Sequence, residues 1–229
     1  MSITIPLSAV LLVGAVYAAE IPMTVSNLVT GPKSRVQLTN TSKQPITAWV
    51  LATTTHAEGG RNRREVYTAD GYLSEVTHGL PGASERLERL MPGESRDLPL
   101  DPLPSDATVE IIAVVLDDGS AVGDEQVIAP IFAKRARERD GLKAVVDAFN
   151  GVLPTRRGPD AVTALQERFA ALVQRDDSIP CRAALDAVQN FARRTNPDEI
   201  EHSLETYADL VKRQYALAVK HATRRATAN

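Results

Sequence analysis

The spacing of apolar residues changes from strand-like to helix-like near residue 128, and this change constrains the fold more than any other feature of the chain. Before it, short apolar runs alternate with Gly, Pro, Asn and Asp turns; after it, apolar residues recur every three to four positions. The balance of charge changes at the same point. Residues 20–128 hold 16 acidic and 9 basic side chains, whereas residues 129–229 hold 13 acidic and 17 basic side chains. The sequence therefore predicts an α+β chain, a strand-rich domain over 20–128 followed by a helical domain over 129–229.

Several segments of the first part have strand character. Residues 36–39 alternate apolar and polar side chains, and residues 46–51 are rich in β-formers. The polar turn at 40–44 between them predicts a hairpin. Residues 109–116 are apolar on both faces, with positions 109, 111, 113 and 115 assigned to one face, which predicts a central strand covered on both sides. Short strands with frequent turns predict an antiparallel β-sandwich.

Three segments of this part resemble uncharacterised exported bacterial proteins that carry an immunoglobulin-like sandwich. They are NTSKQPITAWVL at 40–51, LMPGES at 90–95 and VVLDDGSAVGDE at 114–125. The resemblance implies an immunoglobulin-like domain over residues 23–128, and it brings no activity or catalytic residue. The Cys…Trp…Cys spacing of antibody domains is absent, so no disulfide fixes Trp49.

Residues 53–84 interrupt the strand pattern. They are polar, contain glycines and bring Arg61, Arg63 and Arg64 close together. We interpret the segment as a solvated loop with a small hairpin around Asp70 and Gly71. The alternative is a binding role, which long excursions from a sandwich often have.

Four helices are predicted in the second part. The first starts near Pro130, and its charged middle followed by Gly141 predicts a bend or break. The second follows residues 158–160 and the third begins near residues 178–180, both with Pro in the first turn.

The fourth helix has the clearest signals. Asn196 caps it, Pro197 opens it and Glu199 completes a capping box. Its apolar stripe predicts packing against other helices or against a second copy of the chain. The stripe consists of Ile200, Leu204, Tyr207, Leu210, Val211, Leu217 and Ala218.

An uncharged apolar run over residues 3–19 ends in small residues at Ala18 and Ala19, which predicts a signal peptide cleaved near residue 19. No basic side chain precedes the run, contrary to the usual signal. An uncleaved membrane anchor over 3–19 is the main alternative, although the run is shorter than the ~20 residues that cross a bilayer. A buried strand or helix is the third. We therefore expect an extracytoplasmic protein, periplasmic or secreted.

The histidines show no metal-binding spacing. His56, His78, His202 and His221 lie far apart, and only His56 with Glu58 and His78 suggests even a weak site. Four acids, at residues 117, 118, 124 and 125, surround two glycines but lack the order of a calcium-binding loop, so we interpret them as turn residues. No metal ligand and no cofactor is predicted.

Cys181 is the only cysteine, so no intramolecular disulfide forms. Its place in a first helical turn beside Arg182 favours the thiolate, but a buried and inert thiol is the preferred interpretation. Asn40, Thr41 and Ser42 match the N-glycosylation acceptor pattern, which a turn explains equally well.

Nucleophile-elbow, P-loop and dinucleotide-binding motifs are absent, so no catalytic or cofactor-binding residue is predicted. Scarce aromatics and basic residues interleaved with acids argue against nucleic acid. We expect an exported, non-enzymatic protein with a structural or protein–protein interaction role in the bacterial cell envelope. Its partner is an unidentified protein, or a second copy joined through the C-terminal helices. The alternatives are an enzyme with a site of scattered residues near 53–84, and a membrane-tethered module that places its basic helices on anionic lipid.

Overall fold

A computed structural model of the protein describes residues 20–57, 61–77 and 88–225. The predicted signal peptide or anchor over residues 1–19, together with Glu58 and His78, lies outside the described residues. Within those ranges no helix combines the length and apolarity needed to cross a membrane.

In the described ranges, seven strands come first and four long helices follow, which confirms the predicted order. The strands are β1 (Met23–Val29), β2 (Arg35–Asn40), β3 (Ile46–Ala57), β4 (Arg61–Asp70), β5 (Ser95–Pro99), β6 (Thr108–Leu116) and β7 (Ala121–Gly123). They form two antiparallel sheets, ordered β1-β2-β5 and β4-β3-β6-β7. The helices are α1 (Ser74–Thr77), between β4 and β5, then α2 (Glu125–Val152), α3 (Gly158–Arg175), α4 (Ile179–Phe191) and α5 (Pro197–His221).

The two sheets face each other across one apolar cluster, an arrangement consistent with a β-sandwich. Trp49 on β3 belongs to this cluster and is almost fully buried. Residues from both sheets and from the connection before β5 complete the cluster: Met23, Val36, Leu38, Ile46, Leu51, Leu90 and Val114.

The four-stranded sheet is buried on its other face as well, which confirms that residues 109–116 form a strand covered on both sides. Ala113 and Val115 of β6 pack there against Ile128 and Ile131 of α2. The predicted face assignment is wrong, however, because the β3–β6 register is irregular between Ile111 and Ala113. Such a bulge reverses the alternation, so Val109 and Ile111 face the opposite sheet instead of lying with Ala113 and Val115.

The predicted hairpin of residues 36–39 with 46–51 is wrong. β2 pairs with β1 and β5, whereas β3 pairs with β4 and β6. Buried Asn40 explains the crossing: its Nδ2 donates to the carbonyl oxygens of Gln44 at 2.9 Å and Leu90 at 3.0 Å. These bonds turn the chain from one sheet to the other.

The prediction of a solvated loop over residues 53–84 is also wrong for the part of this segment that the structure describes. β3 continues to Ala57 and pairs along its length with the ten-residue β4. The expected hairpin around Asp70 and Gly71 is absent in this described segment, since Gly71 N donates to Thr47 O at 2.9 Å and the chain then enters α1. Among the described strands β4 lies at the edge of its sheet, where charged residues are common, and this explains its polar sequence.

α3, α4 and α5 begin close to the predicted positions, whereas α2 begins at Glu125 with Pro130 inside it and does not break at Gly141. The glycine is a point of close approach, because a Cβ there would lie 2.6 Å from Ser178 Oγ of the α3–α4 connection. The stripe of α5 packs inside the helical core through Ile200, Leu204 and Val211, while Leu210 is only half-buried. The change from strands to helices falls at Asp124, and the first turns of α2 pack on the sheet.

Candidate functional site

Charged and polar side chains meet below the surface where the four-stranded sheet contacts α2 and α5. Arg135 of α2 is fully buried (0% exposed), and its Nη2 donates to Asp70 Oδ1 at 2.7 Å and to Thr47 Oγ1 at 3.1 Å. Its Nε donates to the same Asp70 carboxylate at 3.1 Å, and its Nη1 lies 3.4 Å from the His221 carbonyl. The guanidinium also lies 4.7 Å from the centre of the Tyr72 ring. We call these five residues the Arg135 cluster.

Local irregularities of the sheet supply the partners of Arg135. The β3–β6 register shifts between Ile46 and Ala48, so Thr47 is bulged, and bulges commonly re-aim a side chain. Asp70 is the last residue of β4. Arg135 follows Ile128 and Ile131 on the face of α2 that packs against the sheet.

Tyr72 extends the cluster toward a second acid. Its hydroxyl donates to Glu138 Oε2 at 2.7 Å, and Lys134 Nζ lies 3.6 Å from Glu138 and 3.9 Å from Asp70. The pKa of Tyr72 is raised far above its ordinary value, mainly by burial and to a smaller extent by the hydrogen bond to the Glu138 carboxylate. The phenol therefore stays protonated and acts as a donor.

His221 closes the cluster at the C-terminal end of α5. It is buried, and its Nε2 lies 3.7 Å from Asp117 Oδ1. The other carboxylate oxygen of Asp117, Oδ2, accepts a hydrogen bond from Lys220 Nζ at 2.8 Å. The pKa of His221 is lowered to about 4, mainly by burial and to a smaller extent by the positive charge of Lys220. The imidazole is consequently neutral near pH 7.

This arrangement favours a structural role over a catalytic one. The Arg135 guanidinium is held by Asp70 and Thr47, and Tyr72 and His221 are uncharged near pH 7. A reacting group needs access to substrate, whereas Arg135, Tyr72 and His221 are all buried. The cluster instead ties α2 and the end of α5 to the sheet.

The three histidines that the structure describes, His56, His202 and His221, lie in separate places. His56 is exposed at the end of β3, where its Nδ1 lies 2.6 Å from Asn62 Oδ1. His202 is exposed on α5, far along the helix from buried His221. Across residues 20–57, 61–77 and 88–225, no three His, Cys, Asp or Glu side chains are grouped so that they hold a metal ion.

The four acids near residue 120 serve separate local roles. Asp118 accepts from Ser120 N and Oγ, and the hydroxyl hydrogen bond lowers the pKa of this carboxyl. Asp124 caps α2 by accepting from Gln126 N at 2.8 Å. Asp117 and Glu125 form ion pairs with Lys220 and Arg224 of the C-terminal segment. Asp117 and Asp118 thus lie in the turn after β6, as expected, whereas Asp124 and Glu125 belong to the start of α2.

Cys181 and Asn40 are both buried. Burial raises the pKa of the Cys181 thiol, and neighbouring Arg182 is paired with Asp177 through its Nε at 3.0 Å. The expected burial of this thiol is confirmed, and its inertness stays a prediction. Asn40 Oδ1 accepts from Ser42 N at 2.8 Å while its Nδ2 donates to two carbonyls, so the amide is inaccessible and the turn interpretation is the correct one.

An open groove of about 800 Å³ lies between the edge strands of the two sheets, β4 and β5. Among the described residues, β4 has β3 on one side and no strand on the other. Val66 and Tyr67 of β4 are 52% and 50% exposed, although both are large and apolar. The groove is mainly apolar with two acids, and its lining comprises Leu51, Thr53, Glu65, Val66, Tyr67, Leu98, Pro99, Leu100, Asp101 and Leu103.

A smaller cavity of about 280 Å³ lies among α2, α4 and α5. Its walls include Leu142, Tyr207 and Val211, and burial raises the pKa of Tyr207 to about 12. Glu138 also lines it, but this carboxylate already accepts from Tyr72. The cavity is thus an apolar recess of the helical core.

Sequence reasoning missed the Arg135 cluster, although the pattern contained one signal. Arg135 continues the stripe of Ile128 and Ile131 at helical spacing, where an apolar residue is expected. Asp70 and Tyr72 gave no comparable signal, because their partners lie more than 60 positions away.

No family model matches the chain, and no curated protein matches it. The crystal structure of a hypothetical protein from Peptoclostridium difficile 630 is similar over 47% of this chain and 89% of that chain, with 12% identity and a TM-score of 0.28.

Proposed function

We propose that the chain is an exported, non-enzymatic protein-interaction module of the bacterial cell envelope, and that it binds its partner along β4. The observation that carries the proposal is the ten-residue edge strand with half-exposed Val66 and Tyr67 beside an open groove. Large exposed apolar residues grouped next to a concave surface are typical of interaction sites. Export rests on the apolar run over residues 3–19.

The chemistry of the groove favours binding over catalysis. Its acidic lining residues are Glu65 and Asp101, and neither a His nor a Cys contributes to the lining formed by described residues. An edge strand instead offers a row of backbone donors and acceptors to an extended segment, and side-chain pockets beside it supply specificity. We call β4 together with this groove the β4 surface.

An immunoglobulin-like origin of the sandwich is part of the proposal. If the seven strands are lettered A, B, C, C′, E, F and G, the sheet orders become A-B-E and C′-C-F-G. Adjacent C′, C, F and G strands also form one sheet of immunoglobulin variable domains. Buried Trp49 lies on the third strand, where those domains have a buried tryptophan.

Site-specific photo-crosslinking tests the proposed function. A benzophenone amino acid replaces Tyr67 in the full chain in producing cells, and in a matched control it replaces Val219, which is 48% exposed on α5. We expect discrete adducts from position 67 and none from position 219, with mass spectrometry identifying the attached protein. Adducts from position 219 alone, or none from position 67, would refute the proposal.

A further inference from the structure

We propose that the partner of the β4 surface is a second copy of this chain. Two β4 strands pair antiparallel around a two-fold axis that passes beside Arg64, so the two four-stranded sheets become one continuous sheet. This inference rests on the proposed function, because it names the partner of the same surface. Closed two-fold dimers are the commonest protein oligomers, and they require a surface that is complementary to itself.

The order of charges along β4 has this self-complementarity. On the groove side, β4 presents Arg61, Arg63, Glu65 and Tyr67 in that order, since alternate residues of a strand share a face. Reversing the order in a second copy places each Arg63 opposite the Glu65 of the other chain. Within one copy Arg63 Nη2 and Glu65 Oε1 are already 2.6 Å apart. The dimer therefore assembles four charges of alternating sign, and opposite charges on facing strands are stabilising.

The groove provides a second element of complementarity. The same register places Arg61 of one copy opposite Tyr67 of the other, at the groove lined by Glu65 and Asp101. No basic side chain belongs to that lining among the described residues. A guanidinium over the half-exposed Tyr67 ring gains a cation–π contact and lies close to both acids. The acidic groove and the basic tip of the strand are thus opposite in charge and complementary.

The residues of β4 that alternate with Arg61, Arg63, Glu65 and Tyr67 tolerate the same register. Asn62 lies opposite Val66, and Arg64 meets its own copy at the two-fold axis. Arg64 is already neutralised by Glu110 of its own chain, with 3.0 Å between Nη2 and Oε1. The stripe of α5, the other surface that the sequence suggested for self-association, is mostly buried within the chain's own helical core.

Charge reversal in solution tests the pairing. The full chain, Arg63→Glu and Glu65→Arg are each examined by sedimentation velocity over a range of concentrations up to ~100 µM. We expect the parent to dimerise and each single variant to dimerise about tenfold or more weakly, because each places two like-charged pairs opposite each other. An equimolar mixture of the two variants restores opposite charges at both positions and should recover the parent's dimerisation. Lys143→Glu reverses an exposed charge on α2 and should leave dimerisation unchanged.

The outcomes separate this inference from the proposed function. A parent that stays monomeric at the highest concentration, or a mixture that associates no better than the single variants, overturns the second copy as partner. If position 67 then crosslinks to a different protein, the β4 surface still binds proteins and only the self-pairing fails. Adducts of twice the chain mass, together with recovery in the mixture, support both.

Discussion

Replacing Asp70 by Asn tests whether the Arg135 cluster holds the helices on the sheet. The change keeps the size of the side chain but removes its charge, so the fully buried Arg135 guanidinium loses its counter-ion. Asp70 is itself only 4% exposed, so water cannot readily replace the carboxylate. Removing one partner of a buried ion pair costs about 3–5 kcal/mol of unfolding free energy. For a protein of this size, each kcal/mol lowers Tm by about 2–4 °C, so we expect Tm to fall by about 6–20 °C.

Urea unfolding measures this cost directly, because Trp49 is the only tryptophan and lies in the sheet core. Lys143→Ala is the control: it breaks an ion pair with Asp147 in which both side chains are more than half exposed, and it should cost less than about 1 kcal/mol. The double variant Asp70→Leu with Arg135→Met removes both charges and should be more stable than Asp70→Asn. If Asp70→Asn unfolds within about 1 kcal/mol of the parent, the cluster does not have the role we assign to it.

Three further predictions concern buried groups. The folded-state pKa of His221 is about 4, below its ordinary 6.5, so the unfolded chain binds this proton first and stability falls as pH drops from 6.5 toward 4. Between pH 7 and pH 5 this lowers the free energy of unfolding by about 2 kcal/mol. Urea unfolding of His221→Phe at both pH values should show a smaller decrease in this free energy than the parent shows. An equal decrease in the two proteins would mean that other groups cause the pH dependence. Val211→Asp should lower the free energy of unfolding by several kcal/mol, whereas Leu210→Asp should lower it far less because Leu210 is only half-buried. Equal melting temperatures of the two variants would mean that a different face of α5 packs in the core. Cys181 should react with iodoacetamide only after denaturant is added, and rapid alkylation of the native chain would contradict its burial.

Local signals in the sequence were sufficient to locate the starts of α3, α4 and α5. Asn196 accepts from Asp198 N at 3.0 Å as the cap of α5, and prolines lie in the first turns of α3, α4 and α5. Gly141 misled the prediction, because its function is to let the Ser178 side chain approach α2. That contact joins distant parts of the chain and leaves no mark on the sequence around the glycine.

The sheets were predicted less completely, because strand pairing is a long-range property. The sequence indicated β2 and β3 but not that Asn40 directs them into different sheets. The polar β4 resembled a loop, since an edge strand has little apolar alternation. The bulge at Ile112 shifted the face assignment of β6. The polar, glycine-containing sequence of residues 53–84 is compatible with a binding role as well as with a solvated loop, and the proposed β4 surface lies within this segment.

Hydrogen exchange of β4 tests the central claim, that this edge strand is the recognition surface. The full chain is compared at low and high concentration by mass spectrometry, with peptides covering residues 61–70 and, as an internal control, residues 197–221. We predict that the β4 amides become more protected at high concentration, because those that face outward gain hydrogen bonds, and that α5 amides are unchanged. If the chain associates while β4 exchanges at the same rate and α5 gains protection instead, recognition lies on the helices and the account is wrong.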